Sequence, residues 1–82
     1  MGKKLVVTGG AGFIGSNFIL KQMTETDNHI LNLDILTYAG NLDNLVSVAD
    51  NERYQFVEGD ITDTNLVQSV IDDFQPDGII HF

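Results

Sequence analysis

A glycine-rich loop between an apolar strand and an amphipathic helix constrains the fold of this chain more than any other feature. The apolar run 5–7 ends at Thr8, and segment 9–15 then reads Gly-Gly-Ala-Gly-Phe-Ile-Gly. Glycine permits a sharp turn out of a strand and leaves the backbone open to a ligand. The N-terminus of the following helix favours an anion such as a pyrophosphate. The arrangement predicts the start of a βαβ dinucleotide-binding unit.

Two glycine spacings fit the loop. Gly10, Gly12 and Gly15 match Gly-x-Gly-x-x-Gly, whereas Gly9, Gly12 and Gly15 match Gly-x-x-Gly-x-x-Gly. Both bring the backbone close to a pyrophosphate and let the helix pack close to the sheet. A tight structural turn is the alternative interpretation. A Walker phosphate loop is a poorer fit because the chain has no Gly-Lys-Ser/Thr.

Apolar runs and helical patterns alternate along the whole chain. The runs 5–7, 30–33, 54–58 and 78–82 predict four strands, and a helical pattern lies between each pair of them. Short, nearly all-apolar strands are typical of a parallel sheet covered by helices on both faces. We therefore predict an α/β, Rossmann-type doubly wound sheet with element order βαβαβαβ and strand order 3-2-1-4.

Each helical pattern has its own buried stripe and end signals. We expect Asn41 to cap the second helix, Thr62 or Asp63 to cap the third, and Pro76 to end it. The predicted stripes are Ile14, Phe18, Ile19 and Met23 in the first helix, Leu42, Leu45, Val46 and Ala49 in the second, and Leu66, Val67, Val70, Ile71 and Phe74 in the third.

Acidic residues follow two of the predicted strands. Asp34 ends the second strand, 19 residues after Gly15, where a carboxylate can bind ribose hydroxyls and repel a 2′-phosphate. No Arg follows within reach, so this position favours NAD over NADP. The alternative is a strand-end Asp that caps a turn. Asp60 could reach the adenine end of the same ligand, but Gly-Asp is also a routine turn pair.

Charge and composition exclude several classes of function. Twelve acidic residues against four Lys and Arg give a net charge of −8, which argues against electrostatic binding of nucleic acid. The absence of Cys excludes thiolate catalysis and Cys-based metal sites. No apolar run approaches the roughly 20 residues of a membrane helix. We interpret His81 as a core histidine, predict no metal site, and expect a cytoplasmic protein without a membrane partner.

Four segments resemble one family. Segment 8–16, Thr-Gly-Gly-Ala-Gly-Phe-Ile-Gly-Ser, resembles the opening of extended short-chain dehydrogenases/reductases that process nucleotide sugars. Segment 34–41, Asp-Ile-Leu-Thr-Tyr-Ala-Gly-Asn, is more specific and resembles the dTDP-glucose 4,6-dehydratases. Segments 59–61 and 80–82 match that family as well. The resemblance covers the entire chain but only the first part of a family member, so residues 1–82 are expected to form the N-terminal part of an NAD-binding Rossmann domain.

The resemblance implies a set of NAD-binding residues. Those implied to surround the pyrophosphate are Gly9, Gly12, Phe13, Ile14 and Gly15. Those implied at the adenosine ribose are Asp34, Ile35, Leu36 and Thr37, with Ala39 and Gly40 close by. Adenine would be contacted by the Asp60 carboxylate and the Ile61 backbone, and Phe82 would begin the segment that continues under the cofactor. Family members usually carry Lys at position 35, so Ile35 could keep a backbone contact but not that charge.

The implied activity converts dTDP-glucose to dTDP-4-keto-6-deoxyglucose. NAD takes a hydride from the sugar C4, water leaves across C5 and C6, and the hydride returns to C6. The family's base is the Tyr of a Tyr-x-x-x-Lys pair, but Leu42 follows Tyr38 and Glu58 follows Tyr54 at that spacing. We therefore predict no catalytic residue within this chain and expect that region, with the nucleotide-sugar site, downstream of Phe82.

The sequence leaves two alternative functions open, and it also leads to expectations about assembly. The chain could belong to a UDP-sugar 4-epimerase of the same superfamily. It could also be a non-catalytic NAD-binding module, which the missing Tyr-x-x-x-Lys favours and the abrupt end in an apolar strand opposes. We expect the complete protein to be a homodimer. The isolated chain is expected to be inactive, and either to self-associate through the sheet edge near Ile79 and Ile80 or to be only marginally folded.

Overall fold

A computed structural model describes residues 2–10, 12–35 and 42–82 of the chain. The positions at Asn41, Leu36, Thr37, Ala39 and Gly40, to which the sequence assigns a helix cap and cofactor contacts, lie outside the described residues. The elements, in chain order, are strand β1 (Lys4–Thr8), helix α1 (Phe13–Glu25), strand β2 (His29–Asp34), a 3₁₀ helix (Leu42–Val48), strand β3 (Tyr54–Glu58), helix α2 (Thr64–Phe74) and strand β4 (Gly78–His81).

The four strands form one parallel sheet in the order β3-β2-β1-β4. In this register Val7 lies beside Asn32, and Thr8 lies between Leu33 and His81. Strands β1 and β2 are therefore central, and the connection that follows β3 must cross the sheet to reach β4. The predicted α/β Rossmann-type sheet and its strand order 3-2-1-4 are confirmed.

Successive side chains of the central strands point to opposite faces of the sheet, so the core is divided into two parts. One face carries α1 and the 3₁₀ helix, and its buried core consists of Val7, Ile19, Met23, Ile30, Leu45 and Val48. The other face carries α2, and its buried core consists of Val6, Leu31, Leu33 and Val70. Since each central strand contributes to both cores, helical segments cover both faces of the sheet, as a doubly wound fold requires.

The second predicted helix is a 3₁₀ helix, and its predicted stripe is partly wrong. Leu45 and Val48 are buried, whereas Val46 is 67% exposed and Ala49 is also exposed. A 3₁₀ helix has three residues per turn, so positions three apart share a face. The α-helical spacing used for the prediction therefore placed Val46 on the wrong side.

The stripes of α1 and α2 are largely confirmed. Ile19 and Met23 are buried in α1, and Val70 is buried in α2. Ile14 departs from the prediction, since its side chain is 69% exposed. The first turn of α1 lies against the glycine loop through Gly15, on which a Cβ would lie 2.5 Å from the Gly9 carbonyl oxygen.

Strand β4 is an edge strand, and its side chains are more exposed than the sequence suggested. Ile79 is 56% exposed, and His81 is exposed rather than a core histidine. The His81 ring nitrogen Nδ1 instead shares a hydrogen bond with the Thr8 hydroxyl on the neighbouring strand. The apolar edge that motivated the expectation of self-association is thus present at Ile79.

Across residues 2–10, 12–35 and 42–82, the two α-helices are too short and too polar to cross a bilayer.

Candidate cofactor site

A crevice opens where the carboxyl ends of the four strands meet. The connection from β1 leads to β2 on one side, while β4 pairs with β1 on the other, so the crevice lies at a topological switch point. Ligands of open α/β sheets bind at such points. The crevice encloses about 110 Å³ and is lined by Thr8, Gly9, Leu33, Asp34, Ile35, Gly59, Asp60, Ile61, His81 and Phe82.

Backbone hydrogen bonds hold the start of the glycine loop against β2. The Gly9 N–H donates to the Leu33 carbonyl at 3.2 Å, and the Gly12 N–H donates to the Gly9 carbonyl at 3.3 Å. The buried Gly10 N–H donates to Oδ1 of Asn32 at 3.1 Å. These bonds fix the path of the chain as it leaves the sheet and turns into α1.

Two loop glycines are required by the fold itself. Gly9 has φ of +72°, and a Cβ there would lie 2.9 Å from the Phe82 carbonyl oxygen. A Cβ at Gly15 would lie 2.5 Å from the Gly9 carbonyl oxygen and 2.8 Å from the Gly10 Cα. Both positions bring backbone against backbone, so a larger residue would force the strand end, the loop and the helix apart.

Gly12 differs from these two glycines because no close packing requires it. Within the described residues, a Cβ at Gly12 would meet only the Gly9 carbonyl oxygen, at an ordinary contact distance of 3.6 Å. Its φ of −72° suits any residue. A ligand that approaches the backbone would explain a glycine here, as in dinucleotide-binding loops.

Helix α1 presents its N-terminus to the same region without a side-chain cap. Gly12 is the N-cap and has no side-chain oxygen to accept the first N–H groups of the helix. Phe13 and Ile14, which follow it, are 78% and 69% exposed. The first turn also contains no acidic residue. This end of α1 therefore has the positive dipole end and the N–H donors that bind a phosphate group.

Asp34 is buried at the end of β2, with 3% of its surface exposed. Its carbonyl oxygen accepts a hydrogen bond from the Gly59 N–H at 3.1 Å, which ties the ends of β2 and β3 together. Burial raises the pKa of the Tyr54 hydroxyl, and the negative charge of Asp34 raises it further, whereas a hydrogen bond from Asn32 lowers it. Asp34 thus lies at the crevice with its charge on the α1 side of the sheet.

Asp60 has a structural role in the turn that follows β3. Its Oδ1 accepts hydrogen bonds from the Thr62 N–H and the Thr62 hydroxyl, both at 2.8 Å. These bonds lower the pKa of the Asp60 carboxyl group. Asp60 therefore makes the turn that a Gly-Asp pair predicts, and it also lines the crevice, beside Ile61.

The remaining predicted residues form an apolar rim. Ile35, Ile61 and Phe82 are 37%, 45% and 42% exposed, and all three line the crevice. The Phe82 N–H donates to the Thr8 carbonyl at 3.0 Å, and its ring lies 5.5 Å from that of Phe18. Every predicted residue that the structure describes thus lies at the crevice or in the glycine loop and first turn of α1 beside it.

A larger groove of about 330 Å³ lies between α2 and the β2–β3 side of the sheet. It is lined by Leu31, Gln55, Val57, Leu66, Ser69, Val70, Asp73 and Phe74. This groove is away from the glycine loop and from the N-terminus of α1. We place the candidate site in the smaller crevice, since Gly9 of the glycine loop lines it and α1 begins directly after that loop.

Comparison with known proteins gives a consistent set of relatives. The family model described as GDP-mannose 4,6 dehydratase matches residues 6–82. A dTDP-glucose 4,6-dehydratase of Escherichia coli is 45% identical over 78 residues, which are 95% of this chain and 22% of that protein. The chain therefore spans less than a quarter of the length of this relative.

Solved structures extend the comparison to the fold. A crystal structure of dTDP-glucose 4,6-dehydratase from Bacillus anthracis in complex with NAD matches with a TM-score of 0.93 and 42% identity, over 98% of this chain and 26% of that one. The UDP-Glc/GlcNAc 4-epimerase of Campylobacter jejuni matches with a TM-score of 0.83 and 34% identity, over 99% of this chain and 24% of that one.

Proposed function

The chain belongs to the GDP-mannose 4,6 dehydratase family, and we propose that it is the NAD-binding part of a nucleotide-sugar dehydratase that acts on dTDP-glucose. The observation that carries the proposal is the glycine loop at the switch point, where Gly12 is open to a ligand and α1 begins without a cap. The E. coli and B. anthracis relatives supply the substrate class, and the B. anthracis structure supplies the cofactor. Residues 1–82 are, on this proposal, the N-terminal part of the cofactor domain.

The proposed contacts follow the geometry of the crevice. The N–H groups at the start of α1, from Phe13 to Gly15, would hold the pyrophosphate, with Gly12 leaving room for it. Asp34 would accept hydrogen bonds from the adenosine ribose. The apolar side chains of Ile35 and Ile61 would flank the adenosine end. NAD, when bound, supplies a reversible hydride acceptor for the sugar.

The first experiment tests the substrate. The complete protein that contains this chain would be incubated with dTDP-glucose and NAD, and the products separated by mass spectrometry. We expect a nucleotide sugar that has lost one water. If folded, NAD-bound protein leaves dTDP-glucose unchanged, the assignment of dTDP-glucose as the substrate is wrong.

A UDP-sugar 4-epimerase is the second candidate, and the C. jejuni epimerase structure supports it. Epimerisation leaves the mass unchanged and inverts one carbon, so mass and NMR spectra together separate the two reactions. The dehydratase relatives have the higher identity and TM-score, which favours dehydration. Protein that binds NAD and converts neither sugar would instead support a non-catalytic NAD-binding module.

A second experiment tests the role of Asp34. Calorimetric titration of the complete protein with NAD and NADP should show NAD binding alone. Replacing Asp34→Asn removes the charge that would repel a 2′-phosphate, so the preference for NAD should fall by about tenfold. The exposed Asp50→Asn variant is the matched control, since it removes the same charge outside the crevice lining. If Asp34→Asn keeps the same preference for NAD over NADP, Asp34 does not bind the adenosine ribose.

Assembly and location complete the proposal. We propose a homodimer for the complete protein, self-association for the isolated chain, and a cytoplasmic location. Sedimentation of both forms and cell fractionation test these statements. A monomeric isolated chain that unfolds cooperatively would contradict the expected self-association at the β4 edge.

A further inference from the structure

One buried polar side chain stands out among the apolar residues of β2. Asn32 has no exposed surface, although the strand residues on both sides of it, Leu31 and Leu33, belong to the apolar core. A buried amide lowers stability unless its hydrogen bonds are made. A buried amide at this position is therefore expected to hydrogen-bond specific groups around it.

Both ends of the Asn32 amide are bonded to residues distant in sequence. Its Oδ1 accepts the Gly10 N–H at 3.1 Å, and its Nδ2 donates to the Tyr54 hydroxyl at 3.2 Å. Gly10 is packed so tightly against this amide that a Cβ would lie 2.3 Å from Oδ1. The amide thus connects the glycine loop to β3 through the interior of the sheet.

The contact lies where the loop changes direction. The preceding N–H, at Gly9, still bonds to the Leu33 carbonyl as a continuation of the strand ladder. At Gly10 the chain leaves the sheet, and the Asn32 side chain takes the place of the next backbone acceptor. Two consecutive N–H groups are therefore held by β2, and they orient the peptide whose carbonyl accepts the Gly12 N–H.

The same hydrogen-bond network lies next to Asp34, which lines the crevice at the end of β2. The Asp34 charge acts on the Tyr54 hydroxyl, so Asn32, Asp34 and Tyr54 form one polar cluster on the α1 face of the sheet. In the part of the chain that the structure describes, every buried side-chain nitrogen and oxygen has a hydrogen-bond partner. A fully bonded buried network specifies one conformation of the groups it joins.

We propose that Asn32 is a positioning residue of the cofactor site: its amide, braced by Tyr54, holds the glycine loop in the conformation that receives the pyrophosphate. This inference rests on the proposed binding of NAD. Asn32 acts through Gly10, whose N–H its Oδ1 accepts.

The test measures NAD affinity and loop protection in the complete protein. Asn32→Leu keeps a similar volume and removes both hydrogen bonds, and Tyr54→Phe removes only the second. We expect Asn32→Leu to weaken NAD binding by about tenfold, the factor that corresponds to one lost hydrogen bond to a buried donor. Tyr54→Phe should weaken it less, and the double variant should bind no worse than Asn32→Leu.

The matched control is Met23→Ala, which opens a cavity in the same core at the far end of α1. It should lower the melting temperature and leave NAD affinity within about twofold, because the cavity lies away from the loop. Hydrogen exchange of the loop peptide without NAD should accelerate in Asn32→Leu and not in Met23→Ala.

The outcomes separate this inference from the proposed function. Equal NAD affinity in Asn32→Leu and Met23→Ala, or unchanged exchange of the loop peptide, would overturn the positioning role. If the unmodified protein does not bind NAD, the proposed function fails, while the exchange measurement still decides whether Asn32 holds the loop. Should Asn32→Leu not fold, Tyr54→Phe supplies both measurements, and unchanged values in it would overturn the inference.

Discussion

The two α-helices of this chain begin in opposite ways. Helix α2 begins at Asp63, whose Oδ1 accepts the Leu66 N–H at 3.2 Å and places a negative charge at the positive end of the helix dipole. Helix α1 begins at Gly12, which has no side chain to do either. Within the described residues, the start of α2 is therefore capped by a carboxylate of the chain itself, whereas the start of α1 has no side-chain cap.

The third position of each helix shows the same difference. In α2 this position is Leu66, whose side chain packs into the core on its face of the sheet. In α1 it is Gly15, which brings the helix against the loop backbone. A structural helix is therefore fixed by a cap and an apolar side chain, whereas α1 is fixed by backbone contact that keeps its first turn accessible.

The largest effect is expected when the approach at Gly15 is broken. Gly15→Ala places a Cβ 2.5 Å from the Gly9 carbonyl oxygen, so helix and loop must separate. We expect a loss of stability of about 1–3 kcal/mol, the usual result of overpacking, together with the loss of NAD binding. Thermal unfolding and calorimetric titration measure the two effects. The Asn17→Ala variant, at an exposed position, is the control, and wild-type behaviour of Gly15→Ala would contradict the close approach of α1 to the loop backbone.

The next change converts the start of α1 into that of α2. Gly12→Asp supplies the missing cap, so stability should stay the same or rise, while the new carboxylate competes with the pyrophosphate. NAD affinity should fall by more than about tenfold. Gly12→Ala separates size from charge, since among the described residues its Cβ would meet only the Gly9 carbonyl oxygen, at 3.6 Å. Tight NAD binding by Gly12→Asp would show that the N-terminus of α1 is not the phosphate site.

The reciprocal change removes the cap of α2. Asp63→Ala leaves the Leu66 N–H without its side-chain acceptor and should lower the free energy of unfolding by about 1 kcal/mol. NAD affinity should not change, because α2 begins outside the crevice lining. Denaturant unfolding measures the loss, and Asn65→Ala, at an exposed position of the same turn, serves as the control. A tenfold change in affinity would contradict the separation of the two helix ends.

The smallest effect concerns Asp60, which precedes α2 and bonds to Thr62. Its pKa is lower in the folded chain than in the unfolded one, because the Thr62 N–H and hydroxyl stabilise the carboxylate. The stability it contributes is present above the unfolded pKa and is lost as the pH falls through the folded pKa. Thr62→Val should raise the pKa of Asp60 toward its ordinary value. NMR titration of the carboxyl carbon of Asp60 in both proteins checks this, and an unshifted Asp60 titration would exclude the hydroxyl bond as a cause.

Much of the fold could be predicted because its signals are local. The predicted strand 54–58 coincides with β3, and Pro76 follows closely after α2 ends at Phe74. Asp63, one of two predicted caps, is the residue that caps α2. The 3₁₀ helix could not be foreseen from its apolar spacing, since the same residues also fit an α-helical period.

The features of the site and of its surroundings that escaped prediction depend on contacts between distant segments. Asn32 gave only a weak signal, a polar residue in an apolar strand, and its partners lie 22 residues away on either side. Arg53 gave no signal, yet its guanidinium donates to the carbonyls of Met23, Thr26 and Asn28 and closes the C-terminal end of α1. His81 was expected in the core because it lies in an apolar run, although the predicted strand order already placed β4 at the edge of the sheet.

The crevice is complete only after β4 has paired with β1 during folding, because His81 and Phe82 line it. The Lys4 N–H donates to the Asp77 carboxylate, a contact that spans 73 residues, and the Phe82 N–H donates to the Thr8 carbonyl. Parallel pairing across so long a loop forms late, since the entropy of closing the loop must be overcome first. During synthesis the glycine loop therefore emerges long before His81 and Phe82, which line the same crevice. We expect NAD to stabilise the finished sheet and to have no part in nucleating it.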